Sequence, residues 1–243
     1  MTEAASRRPA IAGAFGGGGL FGIGYAMGIL DGLRSRGIDL HDSPMIGTSA
    51  GSWAAAATAL GIPFDRLAAL KTPRFPDPRS GVLERSARLV FGRATHPMVS
   101  AVACQLPRLR RTVLACDSVP LSVAVAASSA VPGLLSPQRV NGRLYIDGGV
   151  RSGVSVDLAP ASDTLIVIAP LAGAMFGPFN NIVERNTAEE IDDWTTRHGG
   201  RVLLFAPGAV TAKVATLPHH LFDKDRGVAA YDLARREALD RAL

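Results

Sequence analysis

Four consecutive glycines, Gly16-Gly17-Gly18-Gly19, separate an apolar run over residues 10–15 from an apolar-rich segment over residues 20–36, which Gly37 closes. Inside a helix or strand each glycine costs roughly 1 kcal/mol relative to alanine, so a block of four belongs in a turn. The flanks then read as strand, Gly-rich turn and helix, with Gly37 at the helix C-cap. The same order recurs at once. Pro44-Met45-Ile46 leads into Gly47-Thr48-Ser49-Ala50-Gly51, and residues 50–60 are strongly helix-forming. A chain that opens strand–turn–helix twice is directed towards a parallel sheet sandwiched between helices.

The remainder fits that plan. Residues 111–116, 144–146, 164–169 and 201–205 read as strands, and residues 119–130, 181–197 and 231–243 as helices. Residues 63–109, rich in Pro and Arg and weakly periodic, read as short helices and loops covering the sheet. No repeat or linker interrupts the pattern, so residues 1–9 are expected to form a flexible N-terminus and residues 10–243 a single domain. Apolar residues make up 47% of the chain and charged residues 19%, enough for a sizeable core and too little charge for global disorder.

The formal charge is +5 and falls almost entirely on arginines, the lysines being Lys71, Lys213 and Lys224. Such an excess favours anionic surfaces, lipid headgroups among them, and makes peripheral membrane contact compatible with the sequence. Basic residues are spread out, with no dense cluster beyond Arg108, Arg110 and Arg111, so nucleic acid is not expected as a partner. Cys104 and Cys116 have no metal-site spacing and read as thiols of a reducing compartment, which points to the cytoplasm. Ser6-Arg7-Arg8 ahead of the apolar residues 11–30 has the core feature of a twin-arginine signal. Gly13, Gly16–Gly19, Gly22, Gly24 and Gly28 make a spanning helix there a poor reading.

Three strings carry chemistry. In Gly47-Thr48-Ser49-Ala50-Gly51 the glycines remove bulk around a sharp strand-to-helix turn, which exposes Ser49 at a helix N-terminus as a candidate nucleophile. The plainer alternative has Ser49 merely capping that helix. Backbone amides around Gly17, Gly18 and Gly19 are suited to holding an oxyanion or a phosphate. Asp147-Gly148-Gly149 follows a strand, and a desolvated Asp147 is a stronger base than a carboxylate in water. An Asx-type turn explains the same tripeptide without chemistry.

Two other readings compete. Gly17-Gly18-Gly19-Leu20-Phe21-Gly22 also fits the G-x-G-x-x-G dinucleotide fingerprint, with Asp39 near the ribose-contact spacing. A Ser-His-Asp triad could be closed by His219 or His220, although too little chain precedes Ser49 for the usual hydrolase order. No acidic or histidine spacing suggests a metal site, and neither metal nor cofactor is expected.

Taken together, the glycine loop, Ile46-Gly47-Thr48-Ser49-Ala50-Gly51-Ser52, Ala126-Ala127-Ser128-Ser129-Ala130-Val131-Pro132-Gly133 and Gly142-Arg143-Leu144-Tyr145-Ile146 running into Asp147-Gly148-Gly149 resemble the patatin-like phospholipases. The strings fall in the family's order over residues 10–210. The resemblance implies a three-layer α/β/α sandwich with a mainly parallel central sheet. It also implies a lipid acyl hydrolase in which Ser49 attacks the ester carbonyl, Asp147 takes its proton without a histidine, and Gly17, Gly18 and Gly19 form the oxyanion hole. A lipid or other carboxylic ester, phospholipid, lysophospholipid or acylglycerol, is the implied substrate. The chain departs from the pattern at Phe21, where the family loop usually carries Arg or Lys, and between Cys116 and Ser128, a stretch shorter than the one in which typical members have a β-hairpin. Either departure leaves an inactive relative as an alternative. Residues 171–182, with Met175, Phe176, Phe179 and Ile182 among glycines and Pro178, are expected to form either an apolar flap beside the cleft or a loop whose aromatics pack on the core.

Overall fold

Alternation along the buried strands divides the core in two. In β1 (Ile11–Phe15), Ala12 and Ala14 face one side of the sheet while Phe15 faces the other. The computed structural model describes residues 8–72, 75–173 and 178–242. After β1 come α1 (Gly19–Ser35), β2 (Met45–Thr48), α2 (Ala50–Ala59), α3 (Phe64–Ala68) and α4 (Val82–Phe91). The hairpin of β3 (Val99–Gln105) and β4 (Arg110–Ala115) is followed by α5 (Leu121–Ser128), then by a second hairpin, β5 (Gln138–Val140) with β6 (Arg143–Asp147). The chain closes with β7 (Thr164–Ile168), α6 (Pro178–His198), β8 (Arg201–Phe205), α7 (Ala209–Ala212) and α8 (Lys224–Asp240).

These strands form one eight-stranded sheet, ordered β5-β6-β3-β2-β1-β7-β8, with β4 paired to β3. β3, β2, β1, β7 and β8 run parallel, whereas β4, β5 and β6 are antiparallel additions. On one face Phe15, Ile166 and Ile168 meet α1, α2, α4, α5 and α8. On the other, Leu165 and Val167 meet α6 through Trp194, whose indole N–H donates to the Ala159 carbonyl at 3.3 Å. The result is the three-layer α/β/α sandwich with a mainly parallel sheet. Burying each large apolar side chain in either layer contributes about 1.5–3 kcal/mol.

The glycines that spoil α1 as a membrane span have a packing role. A Cβ on Gly24 or Gly28 would lie 1.9 Å from the Gly227 carbonyl oxygen or 2.3 Å from that of Tyr231, because α8 lies directly on α1. Among the described residues no helix is long and apolar enough to cross a membrane.

Two expectations need correction, while the helix expected over residues 119–130 is present as α5, entered by a turn after Cys116 and flanked by the antiparallel hairpins. β3 lies inside the span read as loops and short helices, and β5 is a further strand that the sequence reading lacked. The terminal helix begins at Lys224, not at residue 231, capped by the Asp223 carboxylate, which accepts from the Arg226 amide at 3.1 Å.

Candidate active site

β2 and β6 share one edge of β3, because β4 occupies the other along its length. β2 ends with Thr48 opposite Val102, and β6, running the opposite way, ends with Asp147 opposite Ala103. Two strands therefore abut end to end, and their last side chains are forced together. The Ser49 hydroxyl donates to Asp147 Oδ2 at 2.7 Å across 98 residues of sequence.

The turn after Thr48 is strained. Ser49 has φ 51° and ψ −120°, a region that costs a non-glycine residue about 1–3 kcal/mol. Its side chain makes no capping hydrogen bond to α2, so the plainer helix-cap reading does not describe it. Three contacts hold the turn in place. The Ser49 amide donates to Ser128 Oγ at 2.8 Å, Ser128 Oγ donates to the Val102 carbonyl at 2.6 Å, and Ser52 Oγ donates to the Ser49 carbonyl at 2.6 Å. Ser128 closes α5, a run otherwise rich in alanine and valine, and a hydroxyl in that apolar setting is its signal in the sequence. Ser128→Ala leaves a buried N–H and a buried carbonyl short of a partner, and is expected to destabilise the fold by about 1–3 kcal/mol in urea titrations. An unchanged midpoint would show that the hydroxyl is dispensable to the turn.

Both carboxylate oxygens of Asp147 are engaged. Oδ1 accepts from the Gly149 amide at 2.6 Å, the Asx-type turn, while Oδ2 faces Ser49. Burial pushes the carboxyl up to about 6, against the opposing pull of the hydrogen bonds from Ser49 and Gly149. A base with that proton affinity is still ionised at neutral pH.

The glycine loop passes beside this pair, with the Cβ position of Gly17 3.3 Å from Ser49 Cβ. Its three amides are not equivalent. Gly17 N–H is committed to the Gly153 carbonyl at 2.8 Å, whereas those of Gly18 and Gly19, at the N-terminus of α1, donate to no acceptor among the described residues. Phe21, where a basic residue was expected by resemblance, is wholly buried and stacks on Tyr25.

Ser49 stands between two cavities. One, of about 690 Å³ with its mouth included, runs between α1, α2 and α4 and is walled by side chains such as Ile23, Trp53, Leu67, Phe75 and Leu83. The other, of about 1140 Å³, carries Asp147, Arg151, Ser152 and Asn186 beside the glycine loop. Among the described residues no histidine lines either cavity. His220 instead accepts from the Leu217 amide at 3.2 Å in the exposed turn before α8. Asp39 lies before β2, at the edge of the sheet opposite the glycine loop, and is paired with Arg34 at 3.4 Å. Of the expected flap, Met175 and Phe176 lie outside the described residues, Leu171 and Ile182 border the second cavity, and α6 begins at Pro178. Arg111 of the basic cluster is taken up by Asp157, at 2.6 and 2.7 Å, and Glu190, at 3.3 Å, which ties β4 to α6.

Residues 67–160 match the family model of the patatin-like phospholipases, a span that includes Ser128 and Asp147. Uncharacterized NTE family proteins of Mycobacterium bovis and Mycobacterium tuberculosis are 29% identical over 204 residues, covering 76% of this chain and 55% of each relative. The chain thus spans about half the length of the curated relatives it matches. Among solved structures, VipD from Legionella pneumophila aligns at 12% identity and a TM-score of 0.49, covering 97% of this chain and 67% of that one. ExoU, in its complex with SpcU from the type III secretion system of Pseudomonas aeruginosa, aligns at 13% identity and a TM-score of 0.38, covering 96% and 53%. The family match and the mycobacterial relatives thus support the resemblance to the patatin-like phospholipases read from the sequence.

Proposed function

We propose that this chain is a serine lipid acyl hydrolase that cleaves carboxylic esters through Ser49 and Asp147. The observation that carries the reading is the 2.7 Å hydrogen bond from a strained, buried serine to a buried carboxylate whose proton affinity is raised. A serine hydroxyl attacks only when a base removes its proton as the new bond forms. Asp147 is within reach of that proton and is ionised at neutral pH.

In the proposed cycle Ser49 Oγ bonds to the ester carbonyl carbon while its proton passes to Asp147. The carbonyl oxygen becomes an oxyanion, held by the amides of Gly18 and Gly19 and favoured by the N-terminal dipole of α1. Gly17 has a supporting part: its bond to Gly153 fixes the loop. Collapse breaks the bond to the alcohol, which leaves with the proton from Asp147. Water, deprotonated by the same carboxylate, then releases the carboxylic acid and restores Ser49. Phospholipid, lysophospholipid and acylglycerol esters all fit this chemistry, and access from a membrane surface is compatible with Arg151 and the exposed Val150 and Ile182 at the second cavity.

The test is covalent labelling. A fluorophosphonate is expected to add one adduct to the folded protein, mapped to Ser49 by peptide mass spectrometry, and the adduct should form far more slowly in Asp147→Ala. Folded wild-type protein that takes up no label at Ser49 would contradict the proposal.

A further inference from the structure

Behind the apolar cavity lies a third, of about 310 Å³, bordered by Phe64 and Ala68 of α3 and by Lys224 and Gly227 of α8. Leu20, Ile23, Leu67, Leu70 and Thr72 line both the first and the third cavity. These shared side chains therefore stand between the space that opens on Ser49 and a second, smaller space that Lys224 also borders. Leu20 and Ile23 come from α1, Leu67 from α3, and Leu70 from the turn beyond it. Ser86 of α4, half-buried, lines the first cavity but not the third.

We infer that this shared wall is a chain-length gauge: the acyl group of the substrate occupies the cavity that opens on Ser49, and Leu20, Ile23, Leu67 and Leu70 stop its far end. The inference rests on the hydrolase reading above. An acyl group attached to Ser49 must extend into one of the two spaces that meet there. The one walled by Ile23, Trp53, Leu67, Phe75 and Leu83 is the more apolar, its charged lining residue being the exposed Lys71, whereas the other presents Asp147, Arg151, Ser152 and Asn186 beside Ser49. Apolar chains gain with every methylene removed from water, until a methylene meets a wall that close-packed side chains hold in place. Beyond that length each further carbon must displace core side chains or stay in water. Removing part of the wall joins the third cavity to the first and lengthens the accepted chain; adding bulk shortens it.

Two variants test this from opposite directions. Leu67→Ala opens the shared wall, and Ser86→Phe, on a half-buried turn where the fold is less at stake, fills the first cavity from the α4 side. The readout is the ratio of kcat/KM for p-nitrophenyl palmitate to that for p-nitrophenyl butyrate. It is expected to rise about tenfold in Leu67→Ala and to fall about tenfold in Ser86→Phe, the scale of one or two methylene contacts in an apolar pocket. A parallel readout needs no turnover: displacement of a fluorescent fatty acid by palmitate or octanoate, whose affinity ratio should move in the same directions. Ser49-dependent hydrolysis with both ratios unchanged in both variants would overturn the gauge and leave the hydrolase reading standing. Binding ratios that shift as expected in a protein that hydrolyses neither ester would support the gauge and overturn the hydrolase reading.

Discussion

Asp147→Asn is expected to abolish ester hydrolysis while making the protein more stable at neutral pH. The first effect follows from removing the group that accepts the Ser49 proton; losing a general base lowers kcat by about 10²–10⁴-fold. The second follows from linkage. The folded carboxyl titrates at about 6, well above its ordinary 3.8, so the folded state holds the proton more tightly than the unfolded state does. Ionising a group that folding has desolvated opposes folding. That cost is absent while both states are protonated, below about pH 4, and grows through about pH 6 to a plateau of roughly 3 kcal/mol. Asparagine keeps the shape and an acceptor for the Gly149 amide but never ionises. The variant should gain about 1–3 kcal/mol over wild type near pH 7.5, with the gap closing near pH 4, in urea denaturation at the two pH values. Wild-type kcat/KM should rise with pH through a midpoint near 6 and level off above it, because the base must be ionised. Equal stability of the two proteins at pH 7.5 would mean that the carboxylate is better solvated than its burial indicates.

Gly51→Ala is expected to have the largest effect on folding, opposite in sign to the prediction of helix propensity. Gly51 sits in the first turn of α2, where replacement by alanine ordinarily stabilises by up to about 1 kcal/mol. Here the new Cβ would lie 2.0 Å from the carbonyl oxygen of Phe15 and 2.3 Å from its carbonyl carbon. Those are backbone atoms of β1 at the centre of the sheet, so neither partner can step aside by changing a rotamer. Either α2 or β1 must move, at a cost beyond about 3 kcal/mol, which in a chain this size lowers Tm by about 6–12 °C. The same displacement would pull Ser49 from Asp147, so fluorophosphonate labelling should fall together with Tm. A rise in Tm would show that the helix and strand are not in contact at that point.

The parts of the fold that could be read in advance are those in which a local pattern and its cause lie within a dozen residues. Apolar runs ending in glycine gave β1 and β2, and the alanine-rich stretch after Ser49 gave α2. β3 was missed because Val99–Gln105 is made largely of Ser, Ala and Cys, which are small, buried on both faces and without alternation, and because it follows a Pro- and Arg-rich stretch. The start of α8 was missed because Gly227 looks like a helix breaker. In the structure it is the residue small enough to let α8 meet Leu20 of α1.

The candidate site divides along the same line. The sequence by itself determined the candidates for the chemistry: a serine between glycines, an aspartate before glycines and a block of glycine amides, each identifiable from its immediate neighbours. Only the tertiary structure decided that β2 and β6 end against each other on one edge of β3, so that Ser49 meets Asp147. It also decided that Gly17 gives its amide to Gly153, that Ser128 holds the strained turn, and that an apolar wall stands behind the serine. Glycine conformation and helix propensity act through bonds and adjacent turns, and so leave a mark in the chain order. Strand order, amide partners and cavity walls depend on contacts between segments far apart in the chain, which no short string of residues encodes.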